Sequence, residues 1–291
     1  VKTKIGVLVM SYGTPESMEG IEAYYTHIRR GHAPSPEQLE ELSDRYKAIV
    51  GGVFPLRENT NNQVENLQEA LDTDSRLLDV EYVCYQGLKH ASPFIEDGVE
   101  QMAKDGIKKA VGIVLAPHYS TMSVESYVKR AQAKADEVGV QFTFVKSYHL
   151  HPQLIEAFSR RVNAKLDLFK EAGAERGEVR VLFSAHSLPE RILSMGDPYP
   201  EQLLETSRAI AEQTGVTSWQ LHGKAPGAPP SRGLVRTSSI RCGTSAKSRS
   251  KTCWSLRSAS YPTISKCCTT WISKPRKSPK SWTCASCAST C

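Results

Sequence analysis

The chain has 291 residues, with 37 Lys+Arg against 31 Asp+Glu and a formal net charge of +6. Such a length holds two modest domains or one large one. No apolar run approaches the roughly 20 residues needed to span a bilayer, and the chain opens on an apolar strand rather than a signal peptide; a cytoplasmic protein without a transmembrane segment is expected.

The basic balance is uneven. Residues 1–220 carry 24 Lys+Arg and 31 Asp+Glu, a net −7, whereas residues 221–291 carry 13 Lys+Arg and no acid, a net +13. Seven of the eight cysteines also follow residue 220, with only Cys84 before it. The positive charge therefore says nothing about the partners of the larger part. Its single cysteine fits a reducing cytosol.

In chain order, residues 5–10, IGVLVM, form a continuous apolar run, as in a strand buried on both faces. It ends in the turn Tyr12-Gly13-Thr14-Pro15. Ile21, Tyr24 and Ile28 mark a helix that stops at Gly31. Ser35-Pro36-Glu37-Gln38 reads as N-cap, first-turn proline and capping-box glutamine, opening a helix to about residue 49. A helix over about 60–71, a strand over 80–88 and a helix capped by Ser92-Pro93 follow; the last carries Ile95, Val99 and Met102. Further strands are predicted over 110–117, 140–148 and 179–187. Helices are predicted from a Ser/Thr-rich loop to about Val138, over 152–172 and over 203–214.

Strands alternating with helices imply parallel pairing with helices on both faces, an α/β fold. Such folds bind ligands at the carboxyl ends of their strands. Those ends are Tyr12, Lys89-His90, Pro117-His118 and Ala185-His186-Ser187. After Gln220 neither the strand nor the helix period appears and few large aliphatics remain, so the segment is expected to stay disordered.

Several residues carry two readings. His186, just past a buried strand, is either a hydrogen-bonded strand-end histidine or a catalytic or metal-binding one. Arg29 and Arg30 end a helix, where cations compensate the dipole; a guanidinium fork also suits carboxylates. Arg45 on the next helix has the same choice between solvated face and carboxylate clamp. Tyr127 closes a polar loop and is open to packing or to ligand contact.

Taken together, VMSYGTP, YYTHIRRG, GLKH, LAPHYSTMSVESY, SAHSLPERI and GDPYPEQL resemble the motifs of the ferrochelatase family, in its order and spacing. The resemblance covers essentially all of 1–220 and is nearest the coproporphyrin ferrochelatases of Gram-positive bacteria. It implies two Rossmann-like, doubly wound lobes, here 1–145 and 146–220, with a porphyrin between them. The implied reaction inserts Fe²⁺ into a porphyrin, coproporphyrin III for this branch, in haem biosynthesis. By the same resemblance His186 is the metal-site histidine and accepts a pyrrole proton, and Tyr12 faces the macrocycle and ligates the product iron axially. Arg29, Arg45, Tyr46 and Tyr127 match porphyrin contacts, with Lys89 on the rim. Phe54 stands where relatives often carry serine, which puts that contact in question. Fe²⁺ is a substrate, no tightly bound cofactor is implied, and a monomer is expected.

The family pairs its histidine with a glutamate in a motif of the form HLEVLYDxD, and no glutamate follows residue 220 here. A reading-frame shift near Gln220 is the expected cause. Residues 263–272, TISKCCTTWI, can be encoded ACC-ATC-TCG-AAG-TGC-TGT-ACG-ACC-TGG-ATA. Read from the last base of each codon, the same DNA gives HLEVLYDLD. The same offset turns 221–234, LHGKAPGAPPSRGL, into AWQSAGRTPEPWL, the family's next motif. The missing glutamate would then be encoded across Ser265 and Lys266, and the second lobe is incomplete, so impaired activity is expected. Cys267, Cys268, Cys284 and Cys287 belong to the wrong frame, so neither an iron–sulfur cluster nor a zinc site is expected despite the CxxC spacing of the last two. The tail's charge gives loose, salt-sensitive adhesion to nucleic acid but no specific recognition. The residues leave two other readings open. One is a non-catalytic tetrapyrrole-binding remnant; the other is a chelatase for protoporphyrin IX or another metal.

Overall fold

A computed structural model describes residues 2–49, 54–74, 76, 79–224, 252–255 and 269–274. These fall into two compact units. The first holds the described residues up to 117 and 123–146; the second holds 118–122, the rest from 147 to 224, and the two short stretches beyond.

The first unit runs β1 (Thr3–Ser11), α1 (Ile21–Ile28), α2 (Pro36–Lys47), α3 (Pro55–Thr73), β2 (Val80–Leu88), α4 (Ile95–Lys104), β3 (Lys109–Val114), α5 (Val124–Val138) and β4 (Gln141–Val145). The strands form one parallel sheet in the order β2-β1-β3-β4. β1 is buried from Gly6 onward, as its unbroken apolar run requires of a central strand. α4 buries Ile95, Gly98, Val99 and Met102, a helical stripe. Gly98 permits its close approach to the sheet: a Cβ there would lie 2.8 Å from the Gln86 carbonyl oxygen and from Leu8 Cδ1. Strand order reverses direction at β1, with β2 on one side and β3 on the other. The carboxyl ends of β1 and β3 therefore frame the switch point where such sheets take ligands.

Three local expectations shift. The third helix starts at Pro55 rather than near 60, because Pro55 supplies the first-turn position. The cap of α4 is not Ser92; Asp97 instead accepts the Phe94 N–H at 2.7 Å. The capping box at Ser35 and Gln38 is present as read.

The second unit runs α6 (Pro152–Glu171), β5 (Arg180–His186), α7 (Arg191–Ser194), α8 (Tyr199–Thr214), β6 (Trp219–Lys224), β7 (Thr252–Ser255) and β8 (Thr269–Lys274). Val181 and Phe183 of β5 meet Val162, Leu166 and Phe169 of α6 and Leu203 and Ile210 of α8 in its core. The sheet order is β6-β5-β8-β7. β5 and β6 are parallel, but β8 runs antiparallel to both β5 and β7. The all-parallel expectation therefore does not extend to this sheet. A central strand needs both edges paired, and an antiparallel neighbour needs no helical crossover.

Strand β6 crosses the expected break at residue 220, and the described parts of 221–291 are strands; the rest of the tail lies outside the described residues. Residues 118–122 join the second unit rather than the first, because Asp197 and Gln202 hold them there.

Candidate functional site

In the first unit, Tyr12 follows directly on β1, at the switch point. Gly13 turns the chain with φ of 82°, and a side chain there would crowd Leu88 and Ala91. The loop after β2 is zipped to this end of β1: Lys89 N–H donates to the Ser11 carbonyl at 2.9 Å and His90 N–H to the Tyr12 carbonyl at 3.0 Å. The rings of Tyr12 and His90 lie 4.5 Å apart, centre to centre.

Tyr12 belongs to a group of phenols with Tyr24, Tyr46 and Tyr127. Burial, reinforced by Tyr46, pushes the Tyr12 hydroxyl up to about 12. Burial also raises Tyr24, Tyr46 and Tyr127. All four are thus neutral at physiological pH and present apolar faces with a hydroxyl tip. Tyr24 donates to the Gly13 carbonyl at 3.2 Å, fixing the turn behind Tyr12. Tyr46 packs on Phe54 with ring centres 4.9 Å apart, so Phe54 serves as core.

Lys89 lies half-buried over the Tyr127 ring, 4.8 Å from its centre, and donates to Ser126 Oγ at 2.6 Å. Burial, then the nearby Arg130, lowers its affinity for a proton. Arg130 forks onto Glu96 at 2.7 and 2.6 Å and donates to the Lys89 carbonyl at 2.6 Å. Sequence reading missed this clamp, since 34 residues separate its partners and neither carries a local signal.

The predicted arginines differ. Arg29 caps α1 and donates from Nη1 to Gln38 Oε1 at 2.8 Å, the atom that also accepts the Ser35 N–H. Its buried Nε has no hydrogen-bond partner. Arg45 is exposed on α2 and ion-paired with Glu41 one turn earlier. Tyr127 is 3 % exposed, so packing dominates its surroundings.

In the second unit, His186 ends β5, half-buried. Tyr199 Oη donates to its carbonyl at 2.9 Å, fixing the backbone from which the imidazole projects. Asp197 secures Tyr199 in turn. It is buried, accepts Tyr199 N–H at 3.0 Å on Oδ1, and takes Ser120 Oγ, Thr121 N–H and Thr121 Oγ1 at 2.9, 2.7 and 2.7 Å on Oδ2. Burial alone would raise this carboxyl, but the bonds from Thr121, Tyr199 and Ser120 outweigh it and hold it below the usual range. The GDPYP stretch contains Asp197, and an aspartate just before a helix start was a legible cap signal. His118 is fully buried, meets Thr206 Oγ1 at 2.9 Å, and is lowered to about 3 by burial and then by His149. It is therefore a neutral structural histidine.

A small hollow of about 30 Å³ is lined by His186, Tyr199 and His222. Among the described residues no group of three or more His, Cys, Asp or Glu is placed to hold a metal ion. Cys267, Cys268, Cys284 and Cys287 lie outside the described residues. No helix among the described residues is long and apolar enough to cross a membrane.

Titratable and aromatic side chains thus gather at strand carboxyl ends in both units, the arrangement of an α/β ligand-binding protein. The sequence model described as "Ferrochelatase" matches residues 4–222. A coproporphyrin III ferrochelatase of Bacillus pumilus is 49 % identical over 231 residues, covering 77 % of this chain and 72 % of the relative. That of Bacillus subtilis is 47 % identical over 230 residues, covering 77 % and 73 %. A Geobacillus coproporphyrin III ferrochelatase is likewise 47 % identical over 230 residues, covering 77 % and 73 %. The chain belongs to the ferrochelatase family, enzymes of haem biosynthesis that insert a metal into a porphyrin.

Proposed function

We propose that this chain inserts Fe²⁺ into coproporphyrin III, with His186 accepting a pyrrole proton and meeting the iron. Two pyrrole N–H bonds break as iron–nitrogen bonds form, so two protons must leave. A neutral imidazole suits the first transfer. The observation that carries this reading is His186 at the carboxyl end of β5, its carbonyl held by Tyr199 and that helix start held by Asp197. A base so supported keeps its position as the proton moves.

The neutral phenol of Tyr12 offers a flat apolar face to the macrocycle and, once iron is inserted, an oxygen to its axial position. Arg29 suits a propionate, since its buried Nε lacks a partner. Arg45 would exchange Glu41 for a propionate, a small cost for an exposed pair. Lys89, Tyr46 and Tyr127 back this surface. The tail after Gln220 is read as out of frame, so the glutamate that would take the second proton is missing and the rate is reduced.

Spectroscopic assay of Fe²⁺ insertion into coproporphyrin III and protoporphyrin IX side by side tests the reading. The expected result is a slow reaction that prefers coproporphyrin III and stops in H186A, while H186A still quenches porphyrin fluorescence. Binding without insertion by the parent chain would instead support a non-catalytic tetrapyrrole-binding remnant. A preference for protoporphyrin IX would reassign the substrate.

A further inference from the structure

One open depression of about 1100 Å³ in the first unit is lined by Glu19, Glu22, His27, Lys89, His90 and Arg130, among others. On its wall His27 Nδ1 and His90 Nδ1 lie 3.0 Å apart. His27 comes from α1 and His90 from the loop after β2, 63 residues later in the chain. Phe94 stacks on the His27 ring at 5.1 Å, and Tyr12 lies against the ring of His90. Each imidazole is thus backed by an aromatic ring, with its δ nitrogen turned towards the other.

From these positions we propose that His27 and His90 form a two-imidazole site for a first-row divalent cation, beside Tyr12. Two ligands at right angles, each about 2.1 Å from one cation, stand about 3.0 Å apart, the spacing found here. Imidazole nitrogen suits iron, cobalt, nickel, copper and zinc in their divalent states. With a cation bound, both rings carry their proton on Nε2 and direct both δ lone pairs at the metal; water fills the other positions. Each lone pair swings about 45° off the nitrogen–nitrogen line, within the broad torsional range of a histidine ring, and exposed His27 has room to move.

Charge around the site permits this. Glu19 and Glu22 line the depression, and the Glu96 carboxylate interacts with His27 through space. Of the cations lining the depression, Lys89 is held by Ser126 and Arg130 by Glu96, while Arg30 is exposed to solvent. The ligands are four donors short of an octahedron, so exchange is fast, as befits a holding point for a metal in transit. The site stands whether or not the porphyrin reading is correct.

The test uses the full chain labelled with ¹⁵N-histidine, its tail cysteines alkylated so that those thiols do not compete, titrated with Co²⁺. The imidazole signals of the eight histidines are followed individually, and H27Q and H90Q assign the pair. The expected result is paramagnetic broadening of His27 and His90 together at the first additions. In H27Q, His90 should then need at least tenfold more Co²⁺, with the other histidine signals unmoved to show an intact fold. Sharp His27 and His90 signals at a Co²⁺ concentration that broadens the other exposed histidines would overturn the proposal and leave the pair a hydrogen bond. So would a His90 response unchanged by H27Q.

Discussion

Replacing Asp197 by asparagine probes the support of His186 directly. The carboxylate accepts four bonds from donors only: three converge on Oδ2 and the Tyr199 N–H on Oδ1. Asparagine has one acceptor oxygen. If its oxygen takes the triple site, its amide opposes the Tyr199 N–H; if it turns over, the amide opposes Thr121 N–H. Either way a buried donor loses its partner, at about 1–3 kcal/mol, and the surviving bonds lose their charge assistance. A total of about 2–4 kcal/mol follows, or a Tm lower by about 5–10 °C for a protein of this size. The pH dependence has a definite sign. The folded carboxyl titrates below its unfolded value, so its contribution is complete above about pH 4 and fades as pH falls below that. Thermal unfolding of D197N and parent between pH 3 and 7 should show a wide gap at neutrality that narrows in acid. A gap below about 0.5 kcal/mol at pH 7, or one constant into acid, would refute the reasoning.

Gly98→Ala puts a methyl group 2.8 Å from a backbone oxygen that cannot swing away, and should cost about 1–3 kcal/mol in urea unfolding. Arg130→Met keeps the stem but removes the Glu96 fork and the bond to Lys89. It should cost about 1–3 kcal/mol by thermal melting, at the low end because the pair is partly exposed. Burial, then Asp72, pushes the Cys84 thiol up to about 11. Peptide mapping after iodoacetamide at pH 7 should therefore find Cys84 alkylated only slowly, and rapidly once urea unfolds the chain. A spectrophotometric titration should find the Tyr12 phenolate absent below about pH 11 in the parent, by difference against Y12F.

Much of the first unit could be read in advance. Apolar runs at 5–10 and 80–88 give β1 and β2, the stripe of Ile95, Val99 and Met102 gives α4, and Ser35 with Gln38 gives the start of α2. Local period and cap chemistry suffice for such elements. Strand ends then located Tyr12, Lys89 and His186. What stayed hidden depends on distant pairs: Arg130 with Glu96, His27 with His90, and Asp197 with the 118–122 loop. No local pattern encodes a partner tens of residues away. Strand β6 was overlooked because Trp219 to Lys224 straddles the change in composition at residue 220. The antiparallel β8 falls where period and hydropathy give no signal at all.

A matched pair of chains tests the central claim most directly: this one, and one whose codons after Gln220 are shifted into the frame that, on the proposed reading, spells HLEVLYDLD. The measurement is the initial rate of Fe²⁺ insertion into coproporphyrin III at equal protein concentration. The restored chain should be faster by about two orders of magnitude or more, since it regains a second proton acceptor, and H186A should abolish that gain. Equal rates from the two chains, or a restored chain indifferent to H186A, would contradict the account.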